Sequence, residues 1–312
     1  MTMHFSVSNQ HTDQRLDNFL VTRLKGVPKS CIYRLVRTGK VRINRKRKSP
    51  FYRVQVNDLI ALPNLRMGAL EKPIPQPSLT LKQLLLQSIL FENKDFFVLN
   101  KPYGLAVHGG SGISLGLIES IRQLYPKDVL ELGHRLDRET SGCIIITKKP
   151  SILKNVHALF REGHIKKTYQ MLVKGHWQST IKHIDIPLKK NQLKSGERIV
   201  TAHAEGKPSL TYFKVLRYFE NSTLLQADLC TGRTHQIRVH TQYANHPIIG
   251  DQKYGDKTTN RIFSKIGLKR LFLHASKVAF TLPNSREHIE VEAPVPDDLQ
   301  KLLAKLSTEG GT

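Results

Sequence analysis

The apolar positions of this chain fall into two rhythms, and the change from one to the other divides it. Over residues 13–24, Leu16, Phe19, Leu20 and Leu24 recur at helical spacing, with Asp13 placed to cap the start and Gly26-Val27-Pro28 placed to stop the helix. A second short helix carries Ile32, Leu35 and Val36 on one stripe and Arg34 and Arg37 on its other faces, with Gly39 just past its end. Val41 and Ile43 then lead into a strand-like stretch, Phe51 to Leu62. Pro63, Pro73, Pro75 and Pro77 punctuate a segment with few periodic apolar positions, which predicts a semi-extended linker.

From about Gln83 the rhythm becomes that of short strands. Phe96 to Asn100 is one, followed by the turn Lys101-Pro102-Tyr103-Gly104, and others are expected near residues 144–147, 168–174, 211–218, 223–230 and 277–282. On the strand holding Tyr169, period-two alternation puts Tyr169, Met171 and Val173 on one face and Gln170 and Leu172 on the other. Helices are expected over Ser151–Glu162, ended by Gly163; from Thr234, whose hydroxyl can cap, to Ala244 before Asn245; and over Asp297–Leu306. The chain thus divides into residues 1–63, a linker over 64–82, a larger domain over 83–306 and a frayed tail, 307–312.

Charge changes the picture next. Forty-nine Lys and Arg stand against 25 Asp and Glu among 312 residues, a formal +24, and an excess of that size speaks of partners rather than fold. Residues 1–63 alone hold thirteen Lys or Arg and three Asp or Glu, a net +10 that includes the burst Arg45-Lys46-Arg47-Lys48. Nucleic acid is the first candidate partner. An anionic membrane is disfavoured, because no apolar run approaches the roughly 18 residues of a span and no lipidation motif is present. The polar start, Met1 to Arg15, lacks the apolar core of a signal peptide, so a cytoplasmic protein is expected. Cys31, Cys143 and Cys230 are odd in number and widely spaced, which speaks against disulfides and thiolate zinc alike.

Candidate chemistry collects at Gly133-His134-Arg135-Leu136-Asp137-Arg138-Glu139-Thr140-Ser141-Gly142, a crowded ionisable loop that runs into the apolar strand Cys143 to Ile146. Asp137 sits at the mouth of that strand between Arg135 and Arg138, and guanidinium groups favour the charged form of a carboxylate. A solvated ion-pair loop is the bland alternative. Tyr169, two residues from an apolar neighbour on its face, reads on its own as a core aromatic with its hydroxyl satisfied. The stretch Thr231-Gly232-Arg233-Thr234-His235-Gln236-Ile237-Arg238-Val239-His240 brings Arg238 near a helix start, where its fork can take a carboxylate bidentately. His235, His240 and His246 invite a metal, but five residues set the first two roughly 140° apart on a helix, so no metal site is expected.

The string His134 to Gly142, together with Gly232 to His240 and Arg270-Leu271-Phe272-Leu273-His274-Ala275, resembles the signature motifs of the RluA-type pseudouridine synthases. Arg15-Leu16-Asp17, Pro28-Lys29-Ser30, Ile32, Leu35, Arg37, Gly39, Val41 and Asn44 resemble an S4 RNA-binding domain. Further family-like strings are Asn100 to Gly112, Leu193 to Val200 and the segment from Gly267. The resemblance spans about Arg15 to about Ala293. It implies an α+β protein: a small helical and β S4 domain, then a catalytic domain with a mixed, largely antiparallel sheet flanked by helices.

The same resemblance implies isomerisation of uridine to pseudouridine in RNA without a cofactor or metal, with bacterial 23S ribosomal RNA as the favoured partner. Asp137 would be the essential carboxylate, Arg238 its ion-pair partner, Tyr169 the ring that stacks on the target base, Arg135 the side chain that fills the gap left by the extruded base, and Leu273 an apolar pocket wall. RNA contacts of the first domain would fall to Arg34, Arg37, Arg45, Lys46 and Arg47. A monomer without an obligate protein partner is expected. Two other classes stay open: a non-catalytic RNA-binding assembly factor, and a hydrolase using Asp137 and Glu139 as a carboxylate pair.

Overall fold

The computed structural model describes residues 2–24, 27, 29–63, 75–109, 115–192, 198–283 and 286–309. The expected stop at Gly26 and Pro28, the linker over 64–74, the Gly110-Ser111-Gly112 end of the Asn100-to-Gly112 string, the Leu193-to-Glu197 part of the Leu193-to-Val200 string and residues 310–312 lie outside them. The chain divides into two compact units, Met1–Ile74 and Pro75–Thr312.

In the first unit β1 (Thr2–Ser6) precedes α1 (Leu16–Arg23) and α2 (Lys29–Arg37), and β2 (Arg42–Ile43) and β3 (Leu59–Pro63) complete an antiparallel sheet of order β1-β3-β2. Leu16, Phe19 and Leu20 of α1 meet Ile32, Leu35 and Val36 of α2 over Ile43, Ile60 and Leu62, so the helical stripes do close a core. Asp13 does not cap α1. It takes a left-handed backbone (φ 64°) and pairs with Arg53 at 2.9 Å, while Arg15 holds the cap position without a side-chain cap. The strand expected over 51–62 is confined to β3, because Asn57 turns at φ 67° and the buried Asp58 carboxylate accepts the Gln55 amide at 2.9 Å. At the tip of the basic burst, Asn44 and Arg45 both have positive φ and Ile43 and Lys46 exchange two backbone bonds of 2.9 Å, a tight two-residue hairpin. Arg34, Arg37, Arg45, Lys46 and Arg47 are all exposed.

The second unit runs α3 (Leu79–Gln87), β4 (Ile89–Glu92), β5 (Phe96–Lys101), α4 (Leu117–Leu124), β6 (Glu131–Leu132), β7 (Ser141–Thr147), α5 (Pro150–Glu162), β8 (Lys166–Lys174), β9 (His183–Asp185), β10 (Leu188–Gln192), β11 (Arg198–Ala202), β12 (Leu210–Phe219), β13 (Ser222–Leu229), α6 (Gln236–Tyr243), α7 (Lys257–Lys265), β14 (Leu273–Thr281), β15 (His288–Glu292) and α8 (Asp297–Glu309). One sheet has the order β4-β5-β7-β14-β8-β13-β12-β9, with β6 on β7 and β15 on β14, and β10 and β11 form a separate ribbon. Among the described residues of that sheet only β14 with β7 is parallel.

The central strands read as unbroken apolar runs because both faces are covered. Ile144 and Ile146 of β7 and Tyr169, Met171 and Val173 of β8 enter one core with α4, whereas Cys143 and Ile145 meet Val156 and Leu159 of α5. Leu172 points the other way, to Phe263 of α7 and Leu299 and Leu302 of α8. Three boundaries differ from expectation. The Ser78 hydroxyl caps α3 by accepting the Leu81 amide at 3.1 Å, so a helix begins at Leu79, inside the segment assigned to the linker and ahead of Gln83. Helix α6 starts at Gln236 rather than Thr234, with His235 in the cap position at φ 54° and ψ 21°. Helix α8 continues to Glu309, which makes the first part of the expected tail helical.

Candidate active site

The Asp137 loop joins β6 to β7 and is pinned from behind. The Gly133 amide donates to Ile145 O at 2.8 Å, and the Thr140 amide closes a turn onto Asp137 O at 3.1 Å. His134 Nε2 accepts the Ile145 amide at 3.1 Å; burial, then Lys167, pushes this imidazole down to about 3, so it serves as a neutral acceptor. Gly142, at φ +112°, lets β7 approach β14 so closely that a Cβ would collide with the Ala275 carbonyl.

The turn after β5 docks on the same loop. The Lys101 ammonium is fully buried and donates to Pro102 O and Leu105 O at 2.9 Å and to Arg138 O at 3.2 Å, and Arg138 Nε returns a bond to Gly104 O at 3.0 Å. Burial, then Arg270, pushes Lys101 down to about 7, while the Asp137 carboxylate pulls it up. Lys101 thus closes its own turn through two carbonyls and ties it through Arg138 O to the backbone beside Asp137, a role that turn chemistry alone did not disclose.

Arg238 is held from the opposite side. Its Nε and Nη2 make a bidentate pair with Asp251 at 2.7 and 2.8 Å, and its guanidinium lies 5.1 Å from the Tyr254 ring centre. The Asp251 side chain is wholly buried and also accepts the Lys253 and Tyr254 amides at 2.8 and 2.9 Å. Burial alone pushes that carboxyl up; the Arg238 bonds and the two amides outweigh it and hold it below the usual carboxylate value. Gly250, at φ +84°, permits this turn, since a Cβ there would strike the Arg270 carbonyl. What remains of the Arg238 fork reaches Asp137 Oδ2 at 3.5 Å and Glu139 Oε2 at 3.4 Å. The primary partner of Arg238 is therefore Asp251, and the contact with Asp137 is longer. His235 Nε2 approaches Asp137 Oδ2 at 3.8 Å, with Nδ1 against the Tyr254 hydroxyl at 2.8 Å.

These elements enclose a cleft of about 740 Å³ in which Arg135, Asp137, Tyr169, Arg238 and Leu273 all line the wall. Five side chains picked from four distant stretches are thus neighbours. Arg34, Arg37, Arg45, Lys46 and Arg47 belong to the other unit. Leu273 stands opposite Met171 across β14 and β8, and Tyr169 stands opposite Ala227 of β13. Burial, then the Asp137 carboxylate, raises the Tyr169 phenol, so it keeps its proton. Glu139 lies outside the lining, although it shares the Arg238 guanidinium with Asp137. The three histidines part company: His240 bonds to Ser209 at 3.0 Å, His246 to Lys174 O at 2.8 Å and His235 to Tyr254.

Asp251, Tyr254, His235 and Lys101 were not singled out for the site by sequence. The turn Gly250-Asp251-Gln252-Lys253-Tyr254-Gly255 carried the signal, an acid followed by backbone amides it can accept. Nothing local says that Arg238, thirteen residues earlier, closes on it.

Residues 95–243 match the RNA pseudouridylate synthase family and residues 14–60 match the S4 domain. The chain belongs to the RNA pseudouridylate synthase family, and it is an RNA pseudouridine synthase, an isomerase, with an S4 domain. Among its relatives are the ribosomal large subunit pseudouridine synthase C of Escherichia coli (strain K12), 48% identical over 96% of this chain and 95% of the relative, and that of Pasteurella multocida (strain Pm70), 47% identical over 96% and 93%. Among solved structures, human RNA Pseudouridylate Synthase Domain Containing 4 superposes with a TM-score of 0.59 at 26% identity, covering 73% of this chain and 96% of that one. Human RNA Pseudouridylate Synthase Domain Containing 1 gives 0.56 at 27%, covering 67% and 83%. The α+β expectation stands: an S4 domain precedes a mixed, mostly antiparallel sheet with flanking helices.

Proposed function

We propose that this enzyme converts specific uridines of 23S ribosomal RNA to pseudouridine, with Asp137 as the reacting carboxylate and no cofactor. The names of its relatives support ribosomal large subunit RNA as the substrate. One observation carries the role of Asp137: its carboxylate faces the cleft, 21% exposed, while the guanidinium beside it is already committed to Asp251. Arg238 then aims Asp137 and steadies its charge without quenching it.

The isomerisation breaks N1–C1′, forms C5–C1′, takes a proton from C5 and returns one to N1, so nothing is oxidised and no group is imported. Asp137 supplies the nucleophile or the charge stabilisation for glycosidic cleavage. The raised Tyr169 phenol suits it to stack and donate a hydrogen bond, not to act as an anionic base, which leaves the C5 proton to Asp137 or to water. Chemistry on a stacked base requires its extrusion. Arg135, exposed at the rim, is suited to fill the gap, and Leu273 to bound the uracil. Arg34, Arg37, Arg45, Lys46 and Arg47 take phosphates of the surrounding RNA. The enzyme works as a cytoplasmic monomer in this account.

A 23S transcript labelled with tritium at C5 of uridine tests the proposal. The wild type should release tritium to water without releasing free uracil, and Asp137→Asn should release neither. Free uracil would replace transfer with hydrolysis; full tritium release by Asp137→Asn would remove Asp137 from the reaction.

A further inference from the structure

Lys167 is a cation of the cleft wall that the mechanism above does not use. Lys167 lies two residues before Tyr169 on β8, on the same face of the strand, about 7 Å away between Cα atoms. Its Nζ lies over the Phe160 ring, 5.6 Å from the ring centre, and the ammonium lies at the cleft wall between Phe160 and the Thr231-Gly232-Arg233 loop. Among the described residues it has no hydrogen bond and no carboxylate within ion-pair distance. Burial lowers its affinity for its proton, and Cys230 is the neighbour that opposes this. A half-buried, uncompensated ammonium is costly unless an anion arrives to pair with it.

The other lining charges do not supply that anion. Asp137 is the only acidic side chain among the lining residues, and Arg238 and His235 already approach it. Arg135 and Arg161 add positive charge, and Arg233 turns its Nε to Pro208 O at 3.0 Å. Gly232 points the same way. Its φ is not in the left-handed region, and a Cβ there would meet only Lys167 Nζ, at 4.0 Å, so neither backbone conformation nor packing demands a glycine. A missing side chain beside a free ammonium leaves room for a ligand to approach the backbone.

We propose that Lys167 binds a non-bridging oxygen of the RNA phosphate adjoining the extruded uridine, and so sets how deeply the nucleotide enters the cleft. This rests on the cleft being the seat of that uridine. Lys167 is thus a positioning residue for the substrate, separate from the exposed cations of the first unit.

Lys167→Met keeps an unbranched side chain of similar length and removes the charge. It should leave the free protein as stable as the wild type or more so, because an unpaired desolvated cation is gone. On an unmodified rRNA fragment holding a target uridine it should lower kcat/KM about tenfold, through KM, as expected for a charge-assisted bond. Lys167→Arg should stay within about threefold of wild type, since the charge is kept and only its shape changes. A methylphosphonate at the contacted linkage should cost the wild type about the same tenfold and cost Lys167→Met little more. Wild type indifferent to methylphosphonates on both sides of the uridine, or losses that multiply in Lys167→Met, would overturn the assignment. If Asp137→Asn abolishes product while Lys167→Met changes nothing, only the phosphate contact falls; if Asp137→Asn retains product, or no uridine is modified, the reading of the cleft falls with it.

Discussion

The two basic regions of this molecule hold their charge in opposite ways. In the first unit Arg34, Arg37, Arg45, Lys46 and Arg47 are exposed, and none has a carboxylate partner among the described residues. In the cleft Arg238 is 4% exposed, with two bonds to a wholly buried aspartate and longer contacts to two more carboxylates. Exposed, uncompensated cations contribute affinity for any polyanion and little geometry. A desolvated guanidinium satisfied on one side contributes little net affinity but fixes its neighbours within a narrow range. In the proposed mechanism one region gathers RNA, and the other places one carboxylate.

The sharpest break of that contrast is Asp137→Asn, which keeps the shape of the site and removes the charge proposed to react. Pseudouridine formation should fall by at least about a thousandfold with RNA affinity nearly unchanged. A comparable loss of affinity would mean that the cleft gathers RNA too.

Asp251→Asn strikes the support of Arg238 rather than the carboxylate proposed to react. It leaves Arg238 buried with half its pairing, so the protein should lose about 3 kcal/mol or more of stability in urea titrations. Surviving folded enzyme should turn over about a hundredfold more slowly, because Asp137 is no longer aimed. Unchanged turnover would make the Asp251–Arg238 pair purely structural.

Smaller effects belong to the first unit. Reversing Arg45, Lys46 and Arg47 together should weaken RNA binding more than about tenfold and lower the salt dependence, log K against log salt, by roughly 2, one increment of about 0.7 per lost phosphate contact. Turnover on a small stem-loop at saturation should persist. Unchanged affinity would remove the hairpin at Asn44 and Arg45 from the RNA-binding surface.

The smallest effect is a pH dependence of stability. Burial pushes His240 and His274 down to about 4, whereas both titrate near 6.5 in the unfolded chain. Between those values the unfolded chain holds protons that the folded one lacks, so this contribution is complete above about 6.5 and is lost as pH falls toward 4. Urea midpoints should drop from pH 7.5 to pH 5, and His240→Asn should shrink the drop.

Much of this was legible in the sequence, and what was missed has common physical causes. The apolar stripes of α1 and α2 and the alternation around Tyr169 depend on neighbours one to four residues away, and periodicity reports those directly. The Asp137, Tyr169 and Arg238 constellation was found through motif resemblance, not spacing, since the residues are 32 and 69 apart along the chain. Asp251 escaped because its pairing with Arg238 is made by tertiary closure. Lys101 escaped because its partners are carbonyls, which no side-chain pattern reveals. The cap of α6 was misplaced because a histidine with positive φ is unusual and local preference favours Thr234.

The most direct test maps pseudouridine on unmodified 23S rRNA transcript by carbodiimide adducts and reverse-transcriptase stops, with wild type beside Asp137→Asn. The account predicts stops at a few defined uridines with the wild type and none with the variant. Wild-type stops that persist unchanged in Asp137→Asn, or their absence from 23S rRNA altogether, would contradict it.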